Sequence, residues 1–436
     1  MKIKENKLTG FVPAALVGMF MGAAGMAPAM AATGEQIFQQ AEVLWNNDKK
    51  DEAVEKYSQA KDMEISDFLK SEALWKMAEY YRDNEDNMLA LHYGRQSAEL
   101  LPDSSVRNTQ MAYLAMATDN DREATVYFEK AFAIQEPGPD ETFVLLDTTY
   151  AYKRLGEKEK VLDYLEMVID KYDANRDYGQ PMSQKDVETS YNMRREHAEL
   201  TRKFGANTGV FYVLNDDSKH ILQAIQELYW QPYYNNGRRI QVYGQLGTTL
   251  SATDIIPNGF LSRYDTTYAN LGVRVEPLSE YNLVLAVERV FKIGDNTEND
   301  TRARAAYSWN RGLELQPYIN NWQYATLYTE YLYFIEGERS LFLGEARYGR
   351  NFKFNSISER FVMSPHAFFG WDYSSRVYGD NDKWTAHLGY GINFRYWYRE
   401  SKYDAPQSYL DVVFQYRFGL TEKSDNAFLI TLSNTF

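Results

Sequence analysis

The 436-residue chain contains no cysteine. That excludes a disulfide framework, a thiolate metal site and a lipoprotein anchor through an N-terminal thiol. Histidine is scarce, with five in the whole chain, and so is proline, with twelve. Beyond the first thirty residues no apolar run approaches eighteen positions, so no helical membrane span is expected there. Positive charge is in deficit: the formal balance is −14, without a basic stripe, which speaks against nucleic acid as a partner. The mean hydropathy of −0.55 is that of a polar chain. It leaves room for a transmembrane β-barrel, whose strands alternate and are never hydrophobic on average.

The first thirty residues differ from the rest. Lys2, Lys4 and Lys7 precede an apolar, small-residue run from Phe11 to Ala27, and Ala29-Met30-Ala31 has the small-x-small form of a cleavage site. The apolar core is short and ends at that site, as in a secretory signal peptide. The sequence therefore predicts three parts: a signal peptide over 1–31, a periplasmic helical repeat domain over 32–205 and an outer-membrane β-barrel over 206–436.

Between Thr33 and Gly205 the apolar period is helical. Similar surroundings recur at Ala53, Ala90, Ala124 and, in degenerate form, Val161; the spacings are 37, 34 and 37 residues. Twelve residues before the first three stand Ala41, Ala78 and Ala112, small enough for two antiparallel helices to approach closely. Tyr57, Gly94, Phe128 and Leu165 follow the anchors by four. Pro102 and Pro137 end their units. The pattern resembles the tetratricopeptide repeat, a helix pair of 34 residues. The polar stretch 183–204 is predicted to be a final helix capping the stack. His92 and His197 are each isolated on a helix of the repeat region, in surface or packing positions.

After Ala206 the period becomes two. Of 35 tyrosines 23 lie beyond this point, with 6 of the 8 tryptophans. In "SYLDVVFQYRF" Leu410, Val412, Phe414, Tyr416 and Phe418 share one face, and Asp411, Val413, Gln415 and Arg417 the other. Lipid on one side of a strand and water on the other produces this alternation. Twelve such segments are expected, from 207–214 to 427–436, most of them long enough to cross a bilayer when tilted. The fold class is α plus β: a tetratricopeptide-like solenoid followed by an antiparallel barrel of about 12 strands.

Placing the apolar faces on lipid turns Arg274, Glu288, Arg302, Arg304 and Glu345 inward. The same parity directs Arg347, His387, Arg395, Asp411 and Arg417 into the lumen. These ten are the expected channel-lining residues, either guiding a substrate or pairing to hold the lumen shut. Phe428, Ile430, Leu432 and Phe436 share one face of the last segment, similar to the C-terminal signal by which outer-membrane barrels are inserted; Asn434 stands where an apolar residue is usual. Ser364, His366 and Asp372 form no lipid-hydrolase site, because their side chains face inward and a nucleophile for membrane lipid must face the bilayer. The sequence predicts no enzyme, no bound metal and no cofactor.

The stretches "FRYWYRESKYDAPQSYLDVVFQYRF" (394–418), "QELYWQPYYNNGRRIQVYGQ" (226–245), "VEPLSEYNLVLAVERVFKIGD" (275–295), "RARAAYSWNRG" (302–312) and "SPHAFFGWDY" (364–373) together resemble the C-terminal barrel of the NfrA-type phage-adsorption outer-membrane proteins. The resemblance covers about 210–436, in order. It implies an outer-membrane protein with periplasmic repeats that works beside an inner-membrane glycosyltransferase to export an exopolysaccharide, some members also serving as phage receptors. The partners then expected are the outer-membrane bilayer, the barrel assembly machinery, the polysaccharide and the glycosyltransferase. The alternatives are a plugged barrel anchoring a periplasmic scaffold, and a general porin.

Overall fold

A computed structural model describes residues 32–138, 141–177, 183–215, 220–235, 237–251, 267–278, 281–294, 297–375, 383–421, 424 and 426–436. The expected signal peptide, 1–31, lies outside the described residues. The chain divides into two compact units, one ending at Pro102 and the other running from Asp103 to Phe436.

The first unit is two helical hairpins: α1 (Gly34–Asn46) with α2 (Lys50–Lys61), and α3 (Asp67–Asp83) with α4 (Asn87–Leu100). Thr33, Ser66 and Asp86 cap α1, α3 and α4, each accepting a backbone N–H of the first turn, and Thr33 with Gln36 completes a capping box. Ala41, Ala53, Tyr57 and Met77 fill the core around Phe38. Ser71 and Ser97, both fully buried, bond to each other's carbonyl oxygens at 2.9 and 2.7 Å; these small side chains bring α3 and α4 together without an unpaired hydroxyl.

The second unit begins with α5 (Ser105–Ala117), α6 (Asp121–Ile134), α7 (Thr142–Leu155), α8 (Lys158–Asp177) and α9 (Gln184–Thr201). Ser104, Asn120 and Ser183 cap α5, α6 and α9. In each unit the two hairpin turns carry one residue in the left-handed region: Asp48 and Glu85, then Asp119 and Gly156, with φ of 60, 62, 56 and 75°. Each stands five residues before its repeat anchor, so the turns repeat in step with Ala53, Ala90, Ala124 and Val161.

Twelve strands follow, β1 (Phe204–Asn215), β2 (His220–Asn235), β3 (Arg238–Ser251), β4 (Tyr268–Glu276), β5 (Asn282–Lys292), β6 (Asp300–Arg311), β7 (Asn321–Phe334), β8 (Arg339–Phe354), β9 (Ser358–Ser374), β10 (Trp384–Tyr398), β11 (Ser408–Gly419) and β12 (Ala427–Thr435). All neighbours are antiparallel, and β1 pairs with β12, from Asn207↔Thr435 to Asn215↔Ala427, to close the barrel. Closure leaves no unpaired edge, the condition for crossing a bilayer with strands. The outer face carries an exposed apolar belt that includes Leu271, Val273, Leu285, Val287 and Leu388. Exposed aromatic residues ring both ends, Trp230, Tyr233, Trp309 and Tyr396 at one, Tyr331, Tyr333 and Trp384 at the other. A belt between two aromatic girdles is the surface of an outer-membrane-type barrel. No described helix is long and apolar enough to span a membrane.

Only Arg202 and Lys203 separate α9 from β1. The helix is docked on that end of the barrel, here the helix-side mouth, where Phe436 also lies, its backbone paired with Ala206 at 2.8 and 2.9 Å. Arg202 Nε donates to Gln407 Oε1 at 2.9 Å, and Gln231 Nε2 to the Arg202 carbonyl at 3.2 Å. His197 is buried between Asp404, 2.9 Å from Nδ1, and Glu166, 3.2 Å from Nε2. The sequence pattern makes α9 a polar cap. Instead one face, with Met193 and Leu200, closes the core of α7 and α8, and Tyr191 on another packs with barrel residues.

Candidate functional site

The strand pleat sends alternate side chains into the lumen, and all ten ionisable residues singled out by parity point there. Nine of them gather in three groups, and the tenth, His387, lines the cavity described below. In the first, the Glu288 side chain has no exposed surface and takes the guanidinium of Arg302, with Arg304 at 3.5 Å. Tyr243 OH and Asn270 Nδ2, the latter at 3.1 Å, donate to the same carboxylate. Arg304 also pairs with Glu330, and Arg274 with Glu227 at 3.0 Å. Arg274 lies over the Tyr243 and Tyr229 rings, at 4.7 and 5.3 Å from their centroids. Burial of so many charges is tolerated because each has an opposite partner and hydrogen bonds.

The second group is Glu345 with Arg347 and, at 3.6 Å, Arg417. Arg417 sits over Phe368 and donates to Gln415 Oε1 at 2.9 Å, while Gln415 Nε2 is 3.1 Å from His366 Nε2. The third is a two-pronged bond, Arg395 to Asp411, both contacts 2.6 Å, with the guanidinium 3.9 Å from the Tyr409 ring centroid.

A cavity of about 670 Å³ occupies the lumen on the β6–β11 side. Glu345, Arg347, Arg417, His387 and Arg395 line it, beside Trp322, Tyr324, Tyr328, Trp397 and Asn393. Arg274, Glu288, Arg302, Arg304 and Asp411 do not; they fill or brace the wall. Ser364 Oγ donates to Asn351 Oδ1 at 2.6 Å, and His366 Nδ1 sits 3.0 Å from the Ser364 carbonyl oxygen, so hydroxyl and imidazole are not joined as nucleophile and base. Among the described residues no three His, Asp or Glu side chains gather as a metal site.

Sequence parity misses the closure of the helix-side mouth. The β6–β7 loop, residues 312–320, folds over the opening and is stitched down through its carbonyl oxygens. Trp322 Nε1 and Asn351 Nδ2 donate to Gly312 O at 2.7 and 2.8 Å, Arg395 Nη1 to Leu313 O at 3.3 Å and Lys353 Nζ to Pro317 O at 2.9 Å. Leu315 is buried among Trp322, Val362 and Trp397, with Tyr191 of α9 against them. Gly312 starts the loop at φ +70°, and a Cβ there would meet Gln323 O at 2.3 Å, so only glycine fits. Glu314 pairs with Arg195 of α9; burial pushes its carboxyl up against the opposing pull of that guanidinium. Beyond the loop a second cavity of about 220 Å³ lies under α9, and Asn310, Leu313, Arg395 and Trp397 line both cavities. Nothing in the aperiodic "RGLELQPYINN" announces this role. Glu227 and Glu330, by contrast, share the inward parity of their partners and were within reach of the same rule.

Tyr398 OH donates to Asn434 Oδ1, which satisfies the polar group at the departure from the apolar pattern of β12. Phe436 is half-exposed, with the Arg399 guanidinium 4.1 Å from its ring centroid.

No curated protein sequence matches the chain. Among solved structures, a MamA protein is 12% identical, covering 34% of this chain and 79% of its own with a TM-score of 0.30. PilW, described as a widely conserved type IV pilus biogenesis factor, is 19% identical over 39% of this chain and 79% of its own, TM-score 0.27. The C-terminal part of a TPR repeat-containing protein from Cytophaga hutchinsonii is 12% identical over 39% and 64%, TM-score 0.32. Residues 261–429, from ahead of β4 into β12, match the family model described as Bacteriophage N adsorption protein A C-term; helical repeats leading into a 12-strand barrel make the chain similar in architecture to the NfrA-type proteins.

Proposed function

We propose that the chain is an outer-membrane protein that conducts a polysaccharide outward through its barrel, with the helices in the periplasm engaging the polymer or an inner-membrane glycosyltransferase. The carrying observation is the polar, aromatic-bordered cavity inside a closed barrel, continued past the 312–320 loop by a second cavity under α9. Hydroxyl-rich chains need both hydrogen-bond donors and acceptors along their path, and paired arginines and carboxylates supply both. The matched family's description names phage adsorption, and in this reading the end of the barrel away from the helices would serve it at the cell surface. Removing the gene from its host should abolish a secreted polysaccharide and restoring it should bring the polymer back. Unchanged polymer in the culture fluid sinks the export reading, and unchanged phage adsorption sinks the receptor reading.

A second reading has its own observation. The stitched loop and the paired arginines close the helix-side mouth, as in a barrel that serves only to anchor a periplasmic scaffold. Planar-bilayer recordings separate the two, since an anchor never opens.

A further inference from the structure

The two cavities are almost free of net charge. In the larger one Arg347 and Arg417 share Glu345, Arg395 is doubly bonded to Asp411, and Asp372 takes a hydrogen bond from Thr385. Under α9, Arg195 has Glu314 and Arg239 has Glu276 at 3.0 Å; Arg202 is held by Gln407, and Glu199 accepts from Tyr234 OH. Deeper in the wall Arg274, Arg302 and Arg304 face Glu227, Glu288 and Glu330. Among the described residues six arginines line the two cavities, and of these only Arg202 lacks a carboxylate partner.

A pore that draws in an anionic polymer does so with uncompensated arginine or lysine along its wall. Here every lining guanidinium but that of Arg202 has a carboxylate within a few ångströms, so the field along most of the path is that of close dipoles and fades before the axis. A polyanion entering this lumen would lose hydration and meet carboxylates as often as guanidinium groups. An uncharged chain loses far less, and it finds N–H donors, carboxylate acceptors and the aromatic rings of Trp322, Tyr324 and Trp397 for its C–H groups. We infer that the cargo is a polysaccharide without net charge. This rests on the export reading above and names its substrate class.

The full-length protein in planar bilayers, with its tryptophan fluorescence followed in parallel in lipid vesicles, provides the test. The probes are maltoheptaose, uncharged, and an oligogalacturonate of similar length. Maltoheptaose should reduce the current or shift the fluorescence at concentrations at least about tenfold lower than oligogalacturonate, and a potassium chloride gradient should give a reversal potential near zero. Glu345→Gln, which frees Arg347 and Arg417, should move the preference toward oligogalacturonate by about tenfold. Tighter oligogalacturonate binding by the unmodified protein, strong anion selectivity, or no shift in the Glu345→Gln protein overturns the charge inference while export itself stands. If neither sugar is sensed by a barrel that still migrates as folded on unheated gels, the export reading falls and takes the inference with it.

Discussion

At the scale of single residues, the side of the sheet decides what a substitution does. Val412 and Val413 are chemically identical neighbours near the middle of β11. Val412 pairs with Phe394 and Leu432 on the outer face, and Val413, buried, with Asn393 and Thr431 on the inner one. Val412→Arg sets a charge in lipid and should lower barrel stability by about 2–4 kcal/mol. Val413→Thr adds a hydroxyl between two polar neighbours and should change it by under about 1 kcal/mol. Denaturant unfolding from vesicles measures both; equal losses would mean that β11 is slipped by one residue.

A buried carboxyl gives a second residue-scale expectation. Asp147 on α7 accepts from Tyr113 OH on α5 at 2.9 Å, and burial raises its pKa, against the lowering effects of that bond and of Arg154. A carboxyl raised on folding opposes folding progressively as pH climbs from its unfolded value through its folded one, because the folded state binds the extra proton. Asp147→Asn keeps an acceptor for Tyr113 and abolishes the titration. It should raise the melting temperature at pH 7 and change it little at pH 3, read by circular dichroism of the helical signal. Glu129 works in the other direction: bonds from Lys160 and Tyr152 lower its pKa, so its contribution is present at neutral pH and lost on acidification.

At the scale of elements, the helical hairpins turn through a left-handed residue, and only Gly156 is suited to it. Glu85 holds φ 62° at the α3–α4 turn with a side chain that disfavours it. Glu85→Gly removes that strain and gives back part of the gain as chain entropy, for a net stabilisation of about 0.5–1 kcal/mol in thermal unfolding. The 312–320 loop is the other decisive element. Replacing Leu315 with serine withdraws its apolar anchor from Trp322, Val362 and Trp397 and should raise the fraction of time a single channel conducts; an unchanged trace would show that the loop is not what closes the mouth.

What the sequence disclosed follows from these same elements. The strand alternation and the repeat anchors are set by local periodicity, so the twelve segments, the buried Ala41, Ala53 and Ala112 and the inward parity of Glu288 or Arg395 could be read directly. The turn residue five before each anchor was equally local, but Asp and Glu are weak signals for a left-handed backbone. The loop and the second face of α9 could not be read. Their positions depend on Arg195 meeting Glu314 and His197 meeting Asp404, residues far apart in the chain that only a finished barrel brings together.

At the scale of the whole molecule, a closed barrel with an apolar belt should fractionate with outer membranes and run faster on unheated gels than after boiling. Recovery from the soluble periplasm without a heat shift would remove the membrane reading. Phe436 holds the seam through two backbone hydrogen bonds to Ala206, and its deletion should lower the amount of barrel assembled, as measured in membrane fractions.

The pairing of β1 with β12 also sets a timetable. These strands are neighbours in space and far apart in sequence, so the step that seals the sheet must wait until β12 has been made. Until then β1 and the growing last strand both offer bare backbone to any passing chain. Two residues from that open seam hangs α9, whose docking partners, the loops at 312–320 and 399–407, do not yet exist when the helix is made. The helix therefore begins as a tethered neighbour of an unfinished sheet, and it reaches its berth only as the ring closes.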